Sequence, residues 1–271
     1  MRISPDGRRI AGEAGESLTD IWIYDVQRNV STRFTFGLGV SSAPLWSPDG
    51  KWIAYGTVLN RHLNLYRKAA NGMGQEELLL EGNDKRVQNT PNDWSPDGKS
   101  LIFAVGDLVG SAQLWELPLT GDHREPKPVV TSGSVAEEAR YSPDGHWIAY
   151  ASNESGRSEV YVIPSNGSGG KWPISSGGGE QPVWRRDGKE IFYLTDDNKL
   201  MSVPISLKSD SVEVGVGQPL FPLANTIAGN VGLLTPYDVT PDGKRFIVIT
   251  ASQSKSLPIT VVTNWTAELK K

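Results

Sequence analysis

The chain has 271 residues, a formal net charge of −4 and a pI near 5.5. Its Lys and Arg residues are scattered, so no basic run reads as a nucleic-acid footprint, and with no cysteine disulfides and thiolate metal sites are excluded. No apolar stretch approaches the roughly 20 residues of a membrane span, the N-terminal MRISPDGRR carries no apolar run of the signal-peptide kind, and a chain of this length can bury about 75% of its unfolded surface without staples.

Taken in chain order, one phrase keeps returning. Met1–Ser4 reads as the stub of a first strand ahead of Ser4-Pro5-Asp6-Gly7, followed by a third strand at Asp20–Val26 (DIWIYDV) and a polar fourth strand (STRFTF). The second unit writes WSPDGKWIAYGT at 46–57, then NLYRK at Asn64–Lys68 and EELLLE. The third writes WSPDGKSLIFAV at 94–105, then QLWEL at Gln113–Leu117 and KPVVTS. The fourth writes YSPDGHWIAYAS at 141–152, then EVYVI at Glu159–Ile163 and KWPISS. The fifth replaces the turn with Arg185-Arg186-Asp187-Gly188 and continues with KEIFYLT, KLMSV at Lys199–Val203 and QPLFPL. The sixth has Thr240-Pro241-Asp242-Gly243, KRFIVIT and PITVVT at Pro258–Thr263, with no fourth strand after it.

The turn residues explain themselves. Proline presets φ for the second position of a type I turn, aspartate suits the third, and glycine takes the positive φ that follows. Such a turn joins two antiparallel strands, and the β-branched or alternating runs after it read as buried second strands. The six aspartates stand 43, 48, 47, 43 and 55 residues apart, the period of a four-stranded propeller blade. The expected fold is therefore all-β: a six-bladed β-propeller of four-stranded antiparallel blades, the last one incomplete. It forms one domain, 1–271, with blades near 1–40, 41–86, 87–134, 135–178, 179–230 and 231–271. The residues three before each aspartate are Ile3, Trp46, Trp94, Tyr141, Trp184 and Val239. Their recurrence predicts core packing between neighbouring blades rather than a ligand cage.

The phrase WSPDGKWIAY followed by an EVYVI-type strand resembles the TolB-like, WD-repeat-like β-propellers of bacteria. The blades are similar to those of prolyl oligopeptidase and dipeptidyl peptidase relatives, and to the C-terminal propellers of receptor-type Ser/Thr kinases and sensor proteins. The closing LPITVVTNWTAELKK is similar to the ends of such propeller-bearing proteins. The resemblance implies a module of a larger bacterial protein. The absent sixth outer strand points the same way: upstream residues of a parent chain would supply it, the alternative being a complete chain with one three-stranded blade. A parent with an upstream signal or membrane span would place the propeller in the periplasm or outside the cytoplasm. The uncharged strand ITVVT would then be an open edge, able to pair two copies of the chain.

No catalytic constellation emerges. His62, His123 and His146 show no metal-ligand spacing, and His146 takes the post-turn position of Lys51 and Lys99, which predicts exposure. No Gly-x-Ser-x-Gly elbow occurs. The runs NGSGG and SGGGE lack the ending of a phosphate loop and read as inter-strand loops. The sequons at Asn29, Asn153, Asn166 and Asn264 read as incidental in a bacterial-looking chain. The six turn aspartates read as local hydrogen-bond acceptors. No catalytic residue, metal ligand or cofactor is assigned.

What differs from unit to unit lies just before the first strands, at positions that face the central channel in this architecture. Ser42, Asn92, Asp93, Glu137, Glu138, Arg140, Glu180, Gln181, Tyr237 and Asp238 occupy them. Function in repeat proteins sits where the repeat is broken. All but Ser42 form the candidate binding set. The leading expectation is a non-catalytic sensor or protein-interaction module with a protein or peptide partner. The alternatives are a propeller enzyme of lyase, lactonase or glycosidase type, with carboxylates or a metal at the channel mouth, and a TolB-type envelope adaptor.

Overall fold

A computed structural model of the chain describes residues 1–15, 19–37, 39–82, 88–106, 111–121, 124–131, 134–223, 235–249 and 259–263, the last as backbone. Among them every regular element is a strand, and no helix is long and apolar enough to cross a membrane. Two compact units divide the chain, Met1–Ala139 and Arg140–Lys271.

In the first unit, β1 (Arg2–Ile3), β2 (Arg9–Ala14), β3 (Asp20–Asp25) and β4 (Val30–Arg33) form one antiparallel sheet in chain order. Next come β5 (Val40–Trp46), β6 (Trp52–Leu59), β7 (His62–Ala69) and β8 (Glu77–Leu80), then β9 (Gln88–Trp94), β10 (Ser100–Gly106), β11 (Ala112–Pro118) and β12 (Lys127–Val130). A parallel bridge between β7 and β9, Leu63 opposite Gln88, joins these two meanders.

The second unit opens within β13 (Ala136–Tyr141), which pairs in order with β14 (Trp147–Ser152), β15 (Glu159–Pro164) and β16 (Trp172–Pro173). The sheet after it holds β17 (Glu180–Trp184), β18 (Glu190–Leu194), β19 (Lys199–Leu207), β20 (Val212–Val214) and β21 (Gln218–Pro222). Here β19 runs four residues past its expected end, and that extension pairs with β20 while its start pairs with β21. The long fifth interval is thus spent on an added hairpin. The last sheet is β22 (Tyr237–Val239), β23 (Arg245–Ile249) and β24 (Ile259–Thr263).

The turn chemistry recurs in all six meanders. In the first, Gly7 N–H donates to Ser4 O at 2.8 Å and Gly7 has φ 72°. Asp6 accepts from the Ser4 hydroxyl and the Arg8 N–H, and Ser4 Oγ accepts from Arg9 N–H. The same bonds recur around Asp49, Asp97, Asp144 and Asp242, with Thr240 in the serine's place in the last. The fifth turn departs in sequence and compensates in chemistry: the Arg185 guanidinium grips both oxygens of Asp187, at 2.8 and 2.9 Å. His146 is exposed, as its post-turn position requires.

Core packing follows the second and third strands. In the first unit Trp46 packs with Ile21, Ile53 and Tyr55, and Trp94 with Leu65, Leu101 and Phe103. In the second, Trp184 packs with Trp147, Ile191 and Val203. The three tryptophans and Tyr141 are 5–7% exposed, the core role their recurrence predicts, while Ile3 and Val239, at the same position in the first and last meanders, are only half-buried. His123, the 264–271 tail and Pro258 lie outside the described residues.

Candidate functional site

Three of the first strands are not regular along their length. The register of β5 on β6 shifts between Ser42 and Leu45, that of β9 on β10 opposite Ile102/Phe103, and that of β17 on β18 between Glu180 and Val183. Each is a bulge, in which an extra residue on one strand bends the chain and re-aims its side chains. Ala43, Glu138 and Gln181, each three residues before the anchor aromatic, have φ of 52°, 59° and 56°. Side chains other than glycine occupy this left-handed region at a cost of roughly 1–2 kcal/mol. Two of the three are candidate binding residues.

In the first unit Asn92 is 7% exposed and fully engaged. Its Oδ1 accepts from Ala139 N–H at 3.1 Å, its Nδ2 donates to Thr90 O at 3.3 Å, and its carbonyl accepts from Arg2 Nη2 at 2.8 Å. Asp93, next to it, and Glu137 and Glu138, just before Ala139, are half-buried. Ser42 is buried opposite Gly56. In the second unit Arg140 is 7% exposed and Tyr237 fully buried. Arg140 Nη2 donates to Thr235 Oγ1 at 3.3 Å, and Tyr237 OH donates to Gln181 O at 2.7 Å. Glu180 is exposed at the head of β17, and Asp238 accepts from Val239 N–H at 2.9 Å. The nine candidates therefore divide by role. Asn92, Arg140 and Tyr237 tie neighbouring sheets together. The sequence pattern places the candidates just before the first strands, and the structure corrects this: Asp93 lies near the end of β9, Glu137 and Glu138 within β13, Glu180 and Gln181 at the head of β17 and Asp238 within β22, because pairing with the second strand extends past the turn-proximal run.

Sequence reasoning missed the residues that latch one sheet to the next. Glu13 accepts from the left-handed Ala43 N–H at 2.7 Å, and burial pushes its carboxyl up, an effect the Ala43 bond opposes. Glu159, 7% exposed, accepts from Gly177 N–H at 2.8 Å, Gly178 N–H at 3.0 Å and the Ser175 hydroxyl. The SGGGE run is thus a loop, and also a cradle of backbone N–H groups whose anion is the chain's own carboxylate. The signal was there in the three adjacent glycines, but nothing local names a glutamate some twenty residues upstream as their occupant. Among the described residues no group of three or more His, Cys, Asp or Glu could hold a metal ion.

A family model described as the TolB beta propeller domain matches residues 80–215. An uncharacterised protein of Agrobacterium fabrum is 26% identical over 164 residues, covering 54% of this chain and 52% of that protein. The crystal structure of TolB from Acinetobacter baumannii superposes with a TM-score of 0.75 at 19% identity, over 96% of this chain and 62% of that one. An oligogalacturonate lyase in complex with manganese superposes with a TM-score of 0.64 at 14% identity, over 96% of this chain and 75% of that one. The chain spans about half the length of the curated relative and less than two thirds of the TolB structure.

Proposed function

The chain belongs to the TolB β-propeller domain family and its fold is an all-β propeller, and from that premise we propose that it is a non-catalytic sensor or protein-interaction module of a larger bacterial protein. We count one domain of six blades from the six Asp-Gly turns. The observation that carries the proposal is a division of labour. The repeated residues spend their polar atoms inside their own turns. The unrepeated ones sit in the first strands, two of them, Glu138 and Gln181, on left-handed backbone. Strained non-glycine backbone persists only where surrounding structure over-determines it, and it concentrates at functional positions.

In a propeller the first strand of each blade borders the central channel. The partner-contacting residues are Asp93, Glu137 and Glu138 in the first unit, and Glu180, Gln181 and Asp238 in the second. Asn92 supports these positions in the first unit, and Arg140 and Tyr237 support them in the second. A protein or peptide partner fits the carboxylates and amides that each unit holds on its own hydrogen-bonded first strands. Likeness to an oligogalacturonate lyase at 14% identity speaks for the fold alone and adds no catalytic residue to the list.

The test is capture of partners on the immobilised chain, followed by chemical cross-linking and comparison of wild type with Glu138→Ala, Glu180→Ala and Asp238→Ala. The proposal expects cross-links in the first strands and at least tenfold weaker capture by the variants. Cross-links confined to the outer strands β4, β8 and β12, with capture unchanged in all three variants, would overturn it.

A further inference from the structure

Some of the chain's chemistry returns after three sheets rather than after one. The residue immediately before each anchor runs Arg2, Leu45, Asp93 and then Arg140, Val183, Asp238: an arginine, an aliphatic and an aspartate, twice. Left-handed Ala43 and Gln181 are each followed by a proline, Pro44 and Pro182. Asp6 and Asp144 are 138 residues apart, and so are Asp49 and Asp187.

The hydrogen bonds repeat with the same period. Thr35 Oγ1 donates to Asp20 and accepts from Ile21 N–H at 2.9 Å. Ser175 Oγ donates to Glu159 and accepts from Val160 N–H at 2.8 Å. Trp46 Nε1 donates to Arg2 O at 3.2 Å, and Trp184 Nε1 to Arg140 O at 3.1 Å. Trp94, in the intervening sheet, has its indole N–H buried without a partner.

We propose that the chain is a duplicated three-sheet module, and that Arg2 and Arg140 are its matched positioning residues, each closing a hydrogen-bonded circuit through the first strands of its own half. In the second half the circuit is complete on three bonds. Trp184 joins β17 to β13 through the Arg140 carbonyl, Tyr237 joins β22 to β17 through Gln181 O, and the Arg140 guanidinium returns from β13 to Thr235, two residues before β22. In the first half Trp46 joins β5 to β1 through Arg2 O, and the Arg2 guanidinium reaches Asn92 O on β9 at 2.8 Å. The third side is Asn89 Nδ2 on Leu63 O at 3.0 Å, with the β7–β9 bridge. Arginine suits the part because its planar fork spans from one sheet to the next but one while its own backbone carbonyl holds the tryptophan between them. Resting on the binding surface proposed above, this makes each arginine the support for the acidic position of its half, Asp93 or Asp238, and not itself a partner contact.

Hydrogen exchange on the full chain, with no partner present, tests this independently of whether the surface binds anything. Arg140→Ala is expected to speed exchange about tenfold in β22 and at the head of β17 while leaving β9 unchanged, and Arg2→Ala to do the converse. Thr235→Val removes only the acceptor, so it carries the test should an alanine variant fail to fold, and it is expected to reproduce the β22 effect. Arg140→Lys keeps a donor and is expected to bring β22 back toward the wild-type rate. Exchange rising equally in β9 and β22 in either arginine variant, a silent Thr235→Val, or a lysine no better than alanine would each overturn the proposal.

Discussion

Replacing Trp184 and Trp94 by phenylalanine separates the two parts these anchors play. Both are buried, at 7% and 5% exposure, and each packs in a continuous apolar cluster. Phenylalanine keeps the ring and loses the pyrrole edge, at a packing cost of about 1 kcal/mol at either site. At Trp184 the indole N–H donates to Arg140 O at 3.1 Å. Losing that bond adds about 1 kcal/mol and leaves a buried carbonyl short of a donor. At Trp94 the indole N–H has no partner, so its removal relieves a desolvation cost of about 1–3 kcal/mol and offsets the packing loss. Trp184→Phe should therefore destabilise by about 2 kcal/mol and Trp94→Phe by 1 kcal/mol or less. Urea unfolding followed by circular dichroism, with unchanged slopes, would measure the gap. Equal losses, or a larger one at Trp94, would refute the reasoning that the indole bond matters at one anchor and is missing at the other.

Three further outcomes follow from the turns and the cradle. Gly145 has φ 76°, so Gly145→Val should cost about 2 kcal/mol or more and Gly145→Asn distinctly less, read as midpoint shifts in thermal unfolding. Glu159→Ala leaves two N–H groups and a hydroxyl without their acceptor and should cost about 2–4 kcal/mol by the same measurement. Asp49 and Asp242 are held below the ordinary carboxylate value of 3.8 chiefly by the Ser47 and Thr240 hydroxyls, and Asp97 chiefly by the Lys99 N–H. A lowered folded pKa gives stability that is fully present above the unfolded value and lost as pH falls through the folded one. The melting temperature should therefore hold down to about pH 4 and drop below it, with a shallower drop in Asp49→Asn; a drop of unchanged steepness in that variant would contradict the turn chemistry.

The turns were legible because a turn is encoded within four residues, and Ser-Pro-Asp-Gly names its own φ values and acceptors. The anchors were legible because Trp46, Trp94, Tyr141 and Trp184 recur at fixed distance from those turns. The candidate residues were singled out because they break the repeat, and their local geometry was not legible. Glutamate and glutamine carry no preference for left-handed backbone, so nothing local announced the positive φ of Glu138 and Gln181. For the same reason the sequence did not show that Asn92 and Tyr237 reach Ala139 and Gln181. The added β20 hairpin left a trace in the longest interval between turns, without saying which strand it would join.

The most direct measurement takes the double variant Glu138→Gly, Gln181→Gly and reads stability and partner capture on the same preparation. Glycine accepts a φ near 60° without steric cost, so each change should relieve about 1 kcal/mol of backbone strain and together raise the melting temperature by a few degrees. If these left-handed positions are where the module meets its partner, the stabler protein should capture that partner at least tenfold more weakly. A protein that melts higher and captures as well as wild type would contradict the account, because the strain would then be held for something other than binding.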